Sequence, residues 1–188
     1  RDFFAANLMV GVALGTYFTY FPRYLQELGC SVAEVGLIIN LGVLFEVLLM
    51  PFGRKLIARY GLERIMLVGF CSLPIRLFLM AIYPNLPMVI AVQLLHAPLA
   101  LGLFVSTPIY LQQHAQPSYR HSLQSLNVSL VMGLTRFIGP ILGAWVVAST
   151  AGLPSMNGLI RAMATAGILG ILAAGVFYRG GYRRRAEA

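Results

Sequence analysis

The chain has 188 residues, of which 59% are hydrophobic and only 11% charged, where soluble domains carry roughly a quarter charged residues. That composition excludes a water-soluble globular domain and points to a chain dissolved in lipid. The net charge of +8 would suit a nucleic-acid partner, but the basic residues gather at the ends of apolar segments, so no nucleic acid is expected.

Apolar windows recur at 3–22, 35–53, 65–83, 86–111, 126–148 and 158–178. Each is close to the roughly 20 residues that cross a bilayer as a helix, and none alternates as a barrel strand would. The prediction is an all-α membrane protein with six transmembrane helices at about 3–28, 34–56, 64–83, 86–114, 119–149 and 157–178. They form one bundle over 1–178, followed by a basic cytoplasmic tail at 179–188.

The first predicted helix carries "GVALG", with Gly11 and Gly15 one turn apart, a pairing that lets helices approach closely. It ends in Tyr17, Phe18, Tyr20, Phe21 and Tyr24. These rings read either as an interfacial aromatic belt or as a stacking platform for an aromatic ligand. The second holds Glu46 inside "NLGVLFEVLLMPFGRK". The third sets Ser72 and Arg76 one turn apart. The fourth presents Gln93, His96, Ala100 and Thr107 on one face, with Pro98 and Pro108 interrupting its backbone. The fifth carries Asn127 and a stripe of Ser122, Ser125, Ser129, Gly133, Arg136, Pro140 and Gly143. The sixth begins near Arg161, which reaches the interface by snorkelling. Cys30 and Cys71 suggest neither a disulfide framework nor a metal site.

Basic residues set the expected orientation. Arg54, Lys55, Arg59 and Arg64 follow the second helix, Arg120 the fourth, and Arg179, Arg183, Arg184 and Arg185 the sixth; Arg1 precedes the first. The opposite loops have only Arg23. Both termini are therefore expected in the cytoplasm. The "RGGYRRR" tail reads as a topological anchor, or as a binder of anionic lipid or nucleic acid.

An ionised side chain at the bilayer centre costs about 2.5–3.5 kcal/mol on insertion scales, so such residues face a protein interior or a wet cavity. Glu46, Arg76 and His96, on three consecutive helices, read as a proton-coupling network, with Arg76 balancing charge and His96 tuning the carboxylate. They also read as a fixed polar knot holding those helices together. Arg136 has Met132, Gly133, Gly139 and Pro140 one turn away and no carboxylate on its own helix. It reads as the grip for the acid group of an organic anion, with Tyr17 and Tyr20 near an aromatic ring and Gln93 and Asn127 as further substrate contacts. The structural alternative pairs Arg136 with Glu46 across the bundle, or with a carboxylate outside this chain.

The segments "GCSVAEVGLIINLGVLFEV" at 29–47, "LPIRLFLMA" at 73–81 and "AVQLLHAP" at 91–98 resemble the C-terminal half of a major facilitator superfamily transporter. The likeness covers nearly the whole chain and is nearest to the phenylpropionate permease group, whose spacing Glu46, Arg76 and His96 match. The lactose permease type, an oligosaccharide:proton symporter, is more distant. Arg76 and His96 correspond to its helix-9 arginine and helix-10 histidine, but its sugar-binding glutamate falls at Val43 and its proton-carrying carboxylate at Leu99. The loop "GRKLIARYG" resembles the superfamily's Gly-basic signature, with Ala58 where an aspartate is expected. Arg136 lies outside the family pattern.

The resemblance implies a twelve-helix permease of the bacterial inner (plasma) membrane, with a central site, alternating access and a six-helix N-terminal half as partner. Helices 1, 2, 4 and 5 of this half would face the cavity, with 3 and 6 behind. Beginning with Arg rather than Met, the chain is expected to be part of a longer protein. The expected partners are a small-molecule substrate, protons and the lipid bilayer, with no cofactor. Two other readings stay open. One is a degenerate or self-pairing half-transporter or membrane scaffold. The other is an intramembrane enzyme, against which stand the missing G-x-S-x-G and H-E-x-x-H patterns.

Overall fold

The computed structural model of the protein describes residues 2–183. Six helices long and apolar enough to cross a membrane follow one another: α1 (Asp2–Glu27), α2 (Val32–Tyr60), α3 (Leu62–Ile82), α4 (Leu86–His114), α5 (Pro117–Ala148) and α6 (Ser155–Gly180). The connections are short, so successive helices run up and down. Local chemistry sets the breaks. Gly29, Gly61 and Gly152 have φ near +90°, a conformation open to glycine and strained for other residues. Ser31 caps α2 in a reciprocal box with Glu34, and the Asn85 side chain accepts from the Met88 N–H at the head of α4.

Four helices are not uniform. α2 tightens at Met50–Phe52, next to Pro51. α4 tightens at Val92–Leu95 and then widens into a π turn at Leu101–Val105. α5 has its own π turn at Ser129–Leu134. At the end of α6 the backbone continues in π geometry over Tyr178–Arg183, within the stretch expected as a tail. Arg1, Arg184 and Arg185 lie outside the described residues.

Small residues hold the bundle together. A Cβ on Gly15 would stand 2.5 Å from the Thr135 carbonyl oxygen, and one on Gly139 2.6 Å from the Val12 oxygen, so α1 and α5 touch backbone to backbone. Gly69 of α3 and Gly102 of α4 make a second such contact, and Gly170 of α6 sits against Pro74 of α3. With no hydrophobic drive between helices in lipid, close van der Waals packing of this kind carries association. Buried hydroxyls add cross-ties. Thr16 donates to the Gly139 carbonyl at 2.8 Å, Tyr20 to that of Pro140 at 3.1 Å, and Tyr24 to that of Met80 at 2.7 Å. α6 packs mainly on α1 and α3. α2 and α5 are the most open helices, showing Val43, Val47, Phe137, Ile141 and Trp145.

Candidate functional site

Four of the helices converge on Arg76. This guanidinium is only 1% exposed. It donates to Gln93 Oε1 at 2.5 Å and to the Tyr17 hydroxyl, and meets His96 Nδ1 at 3.1 Å. It also lies over the Tyr17 ring, 4.4 Å from the centroid, with the Phe21 ring at 5.7 Å. Two aromatic faces and two neutral oxygens thus replace water around a permanent cation. Gln93 and His96 reach it together because they sit three residues apart on one face of α4.

The geometry fixes the state of His96. Arginine has only donors, so Nδ1 facing Arg76 must be an acceptor, and the proton of the neutral ring sits on Nε2. Nε2 is 3.4 Å from Glu46 Oε2, placing an N–H opposite the carboxylate. Glu46 does not touch Arg76; His96 stands between them. A doubly protonated ring would have no lone pair for Arg76, so adding a proton to His96 requires that contact to break. Glu46 is half-buried on α2, flanked by the exposed Val43 and Val47. It is the member of the chain nearest the open surface. A cavity of about 50 Å³ lies between Tyr17, Phe18, Arg76, Gln93 and His96.

Arg136 belongs to a different place. It is exposed and lines a cavity of about 480 Å³ between α1, α4 and α5, together with Phe18, Thr19, Phe104 and Thr135. Among the described residues it has no acidic partner, and Glu46 is engaged with His96 instead. The alternative pair between Arg136 and Glu46 is therefore not formed. The two π turns flank this cavity, contributing Phe104 and Val131. Such insertions are found often at functional sites.

The sequence candidates thus divide. Glu46, Arg76, His96, Gln93 and Tyr17 come together. Tyr17 is buried beside Arg76 rather than exposed at an interface, and Tyr20 is tied to the α5 backbone. Arg136 stands apart at the larger cavity, with Phe18 bordering both sites. Asn127 is buried on α5 without lining either cavity. Phe18 is one of the rings that the sequence offers as a stacking platform; sequence reading missed Phe104 as a wall residue and the partnership of Tyr17 with Arg76. The one available signal for the latter was the need of a buried guanidinium for aromatic faces.

Residues 2–153 match the MFS_1 like family. The quinolone resistance protein NorA of Staphylococcus aureus (strain MRSA252) is 21% identical over 165 residues, which is 88% of this chain and 40% of that protein. A crystal structure of the nucleoside transporter NupG, an aspartate-to-alanine mutant, superposes with a TM-score of 0.82 at 15% identity, covering 94% of this chain and 47% of that one. The chain spans less than half the length of either relative.

Proposed function

The chain belongs to the MFS_1 like family of membrane transporters, and from that premise we propose that it forms one six-helix half of a proton-coupled transporter for small organic acids. The observation that carries the reading is the relay from the half-open Glu46 through the single tautomer of His96 to the buried Arg76. A carboxylate there has two alternative ways to be stabilised, by taking up a proton from outside or by accepting the imidazole N–H as an anion. That choice is what coupling by alternating access requires. The second half, a six-helix bundle with its own apolar face, covers α2 and α5.

The larger cavity supports the substrate class. Arg136 offers a forked donor to a carboxylate, and Phe18 and Phe104 offer rings; the Thr19 and Thr135 hydroxyls donate to their own helix and present only acceptor oxygens. An aromatic monocarboxylate such as 3-phenylpropionate matches that lining.

The experiment is uptake of labelled 3-phenylpropionate, 3-phenylpropanamide and uridine in cells expressing the complete transporter. The expected result is accumulation of the acid, driven by an inward proton gradient and abolished by a protonophore. Arg136→Gln should lower uptake of the acid at least tenfold more than that of the amide. Equal loss for acid and amide removes the grip assigned to Arg136. Acid uptake indifferent to the protonophore removes proton coupling.

A further inference from the structure

Below the Arg136 cavity, toward the predicted cytoplasmic end, lie three polar side chains that the transport reading does not use. Asn7 on α1 and Thr107 on α4 are each 1% exposed, and Asn127 on α5 is 8% exposed. The oxygens Asn7 Oδ1, Thr107 Oγ1 and Asn127 Oδ1 have no hydrogen-bond partner. Asn7 satisfies its amide nitrogen on the Phe3 carbonyl at 3.2 Å, leaving the oxygen free. Orphaned buried acceptors are few in folded proteins, and each calls for an explanation.

Helical register brings the three to one level. Asn7 is one turn below Gly11, Asn127 one turn below Val131, and Thr107 one turn below Phe104. Gly11, Val131 and Phe104 all line the same cavity. One turn below Asn7 and Thr107, Phe3 and Tyr110 stack at 4.7 Å and close the bundle. Thr107 and Asn127 each sit two residues from a π turn, at Leu101–Val105 and Ser129–Leu134, which locally respaces the backbone carbonyls. The oxygens are buried within this bundle, so a second bundle does not reach them. They are also shut off from the cavity, so a solute as large as the proposed acid does not reach them either.

We propose that Asn7, Thr107 and Asn127 form a binding site for a monovalent metal cation of the sodium class. Hard cations take oxygen ligands. The described residues hold no cluster of three His, Cys, Asp or Glu for a multivalent ion, whereas neutral amide and hydroxyl oxygens suit a single charge. Ion sites of transporters recur where regular helix geometry is interrupted, as it is beside Thr107 and Asn127. The site stands independently of the substrate and proton assignments above.

The test is thermal melting of the full chain in lipid nanodiscs, in sodium chloride against choline chloride at equal ionic strength, with binding of ²²Na⁺ measured alongside. Sodium about a hundredfold above its dissociation constant should raise Tm by roughly 5 °C, saturably. Thr107→Val and Asn127→Leu should abolish the rise and the ²²Na⁺ signal. In choline chloride Thr107→Val should melt no lower than the unaltered chain, because it removes an unsatisfied group while keeping its shape. Gly36→Ala, where the added carbon meets nothing within 4 Å, should keep the full sodium response. A Tm equal in the two salts, with no ²²Na⁺ bound, overturns the proposal and leaves a trapped water as the occupant. Retention of the sodium response in both substituted chains overturns it too.

Discussion

Glu46 and Tyr17 occupy opposite ends of one relay, and substitutions separate their roles. Glu46→Gln keeps the shape of a protonated carboxyl and removes its titration. Accumulation against a gradient should stop, while exchange of labelled for unlabelled acid at equal pH continues; full uphill uptake in this variant would exclude Glu46 as the carrier. Tyr17→Phe keeps both the ring over Arg76 and the packing on Phe21, where the centroids are 4.6 Å apart, and loses only the hydroxyl. A hydrogen bond to a charged group contributes about 1.5–3 kcal/mol. Melting should fall by several degrees, with Tyr17→Leu falling further as the cation–π contact also goes. The convergence of Glu46, Arg76 and His96 was legible because intramembrane charge has few places to go. The place of Tyr17 was not, since a row of aromatic residues at a helix end reads equally well as an interfacial belt. Asn7 gave no signal at all, a single amide among apolar neighbours.

At the scale of the helix pair, the seam between α1 and α5 is the most exacting contact. Gly15 and Gly139 meet backbone, which has no rotamer to give way. Gly15→Ala or Gly139→Ala should destabilise the bundle by roughly 1–3 kcal/mol, the usual cost of overpacking. Gly36→Ala on the open side of α2 should be neutral. The check is the folded fraction and Tm of the three proteins; equal values would mean the seam is looser than its geometry. Gly11 and Gly15 announced a close contact in the sequence, but not its partner. Thr135 and Gly139 are separated from them by more than a hundred residues, and no periodicity pairs α1 with α5. The π turns of α4 and α5 were likewise invisible, because an extra residue in a helical turn leaves composition and hydropathy unchanged.

For the whole molecule, six spans follow from apolar length alone, since the bilayer sets a minimum that few other segments reach. Orientation rests on charge asymmetry. Reporter fusions at 30, 60, 85, 115 and 154 should alternate outside, inside, outside, inside, outside; a fusion at 60 that reads as external would invert the assignment. The open faces of α2 and α5 make a further expectation. The chain expressed with a complementary six-helix bundle should resist aggregation in detergent better than the chain alone. A monodisperse, stable single bundle would argue against that cover.

The π turn at Leu101–Val105 acts as a phase shifter along α4. It takes up one surplus residue, so each residue after it sits where its predecessor would sit in an unbroken α-helix, about 100° back around the axis. Gln93 and His96 precede the shift and Thr107 follows it, yet all three are buried on the inner side. Deleting Leu103 removes the residue that the wide turn absorbs, so α4 should close to regular geometry with His96 and Thr107 both still on the inner side. Such a chain should keep its sodium-dependent Tm rise and the contact between His96 and Glu46; loss of either would mean that the wide turn itself places the residue. The helix thereby tolerates a deletion at this turn that would rotate half of it anywhere else.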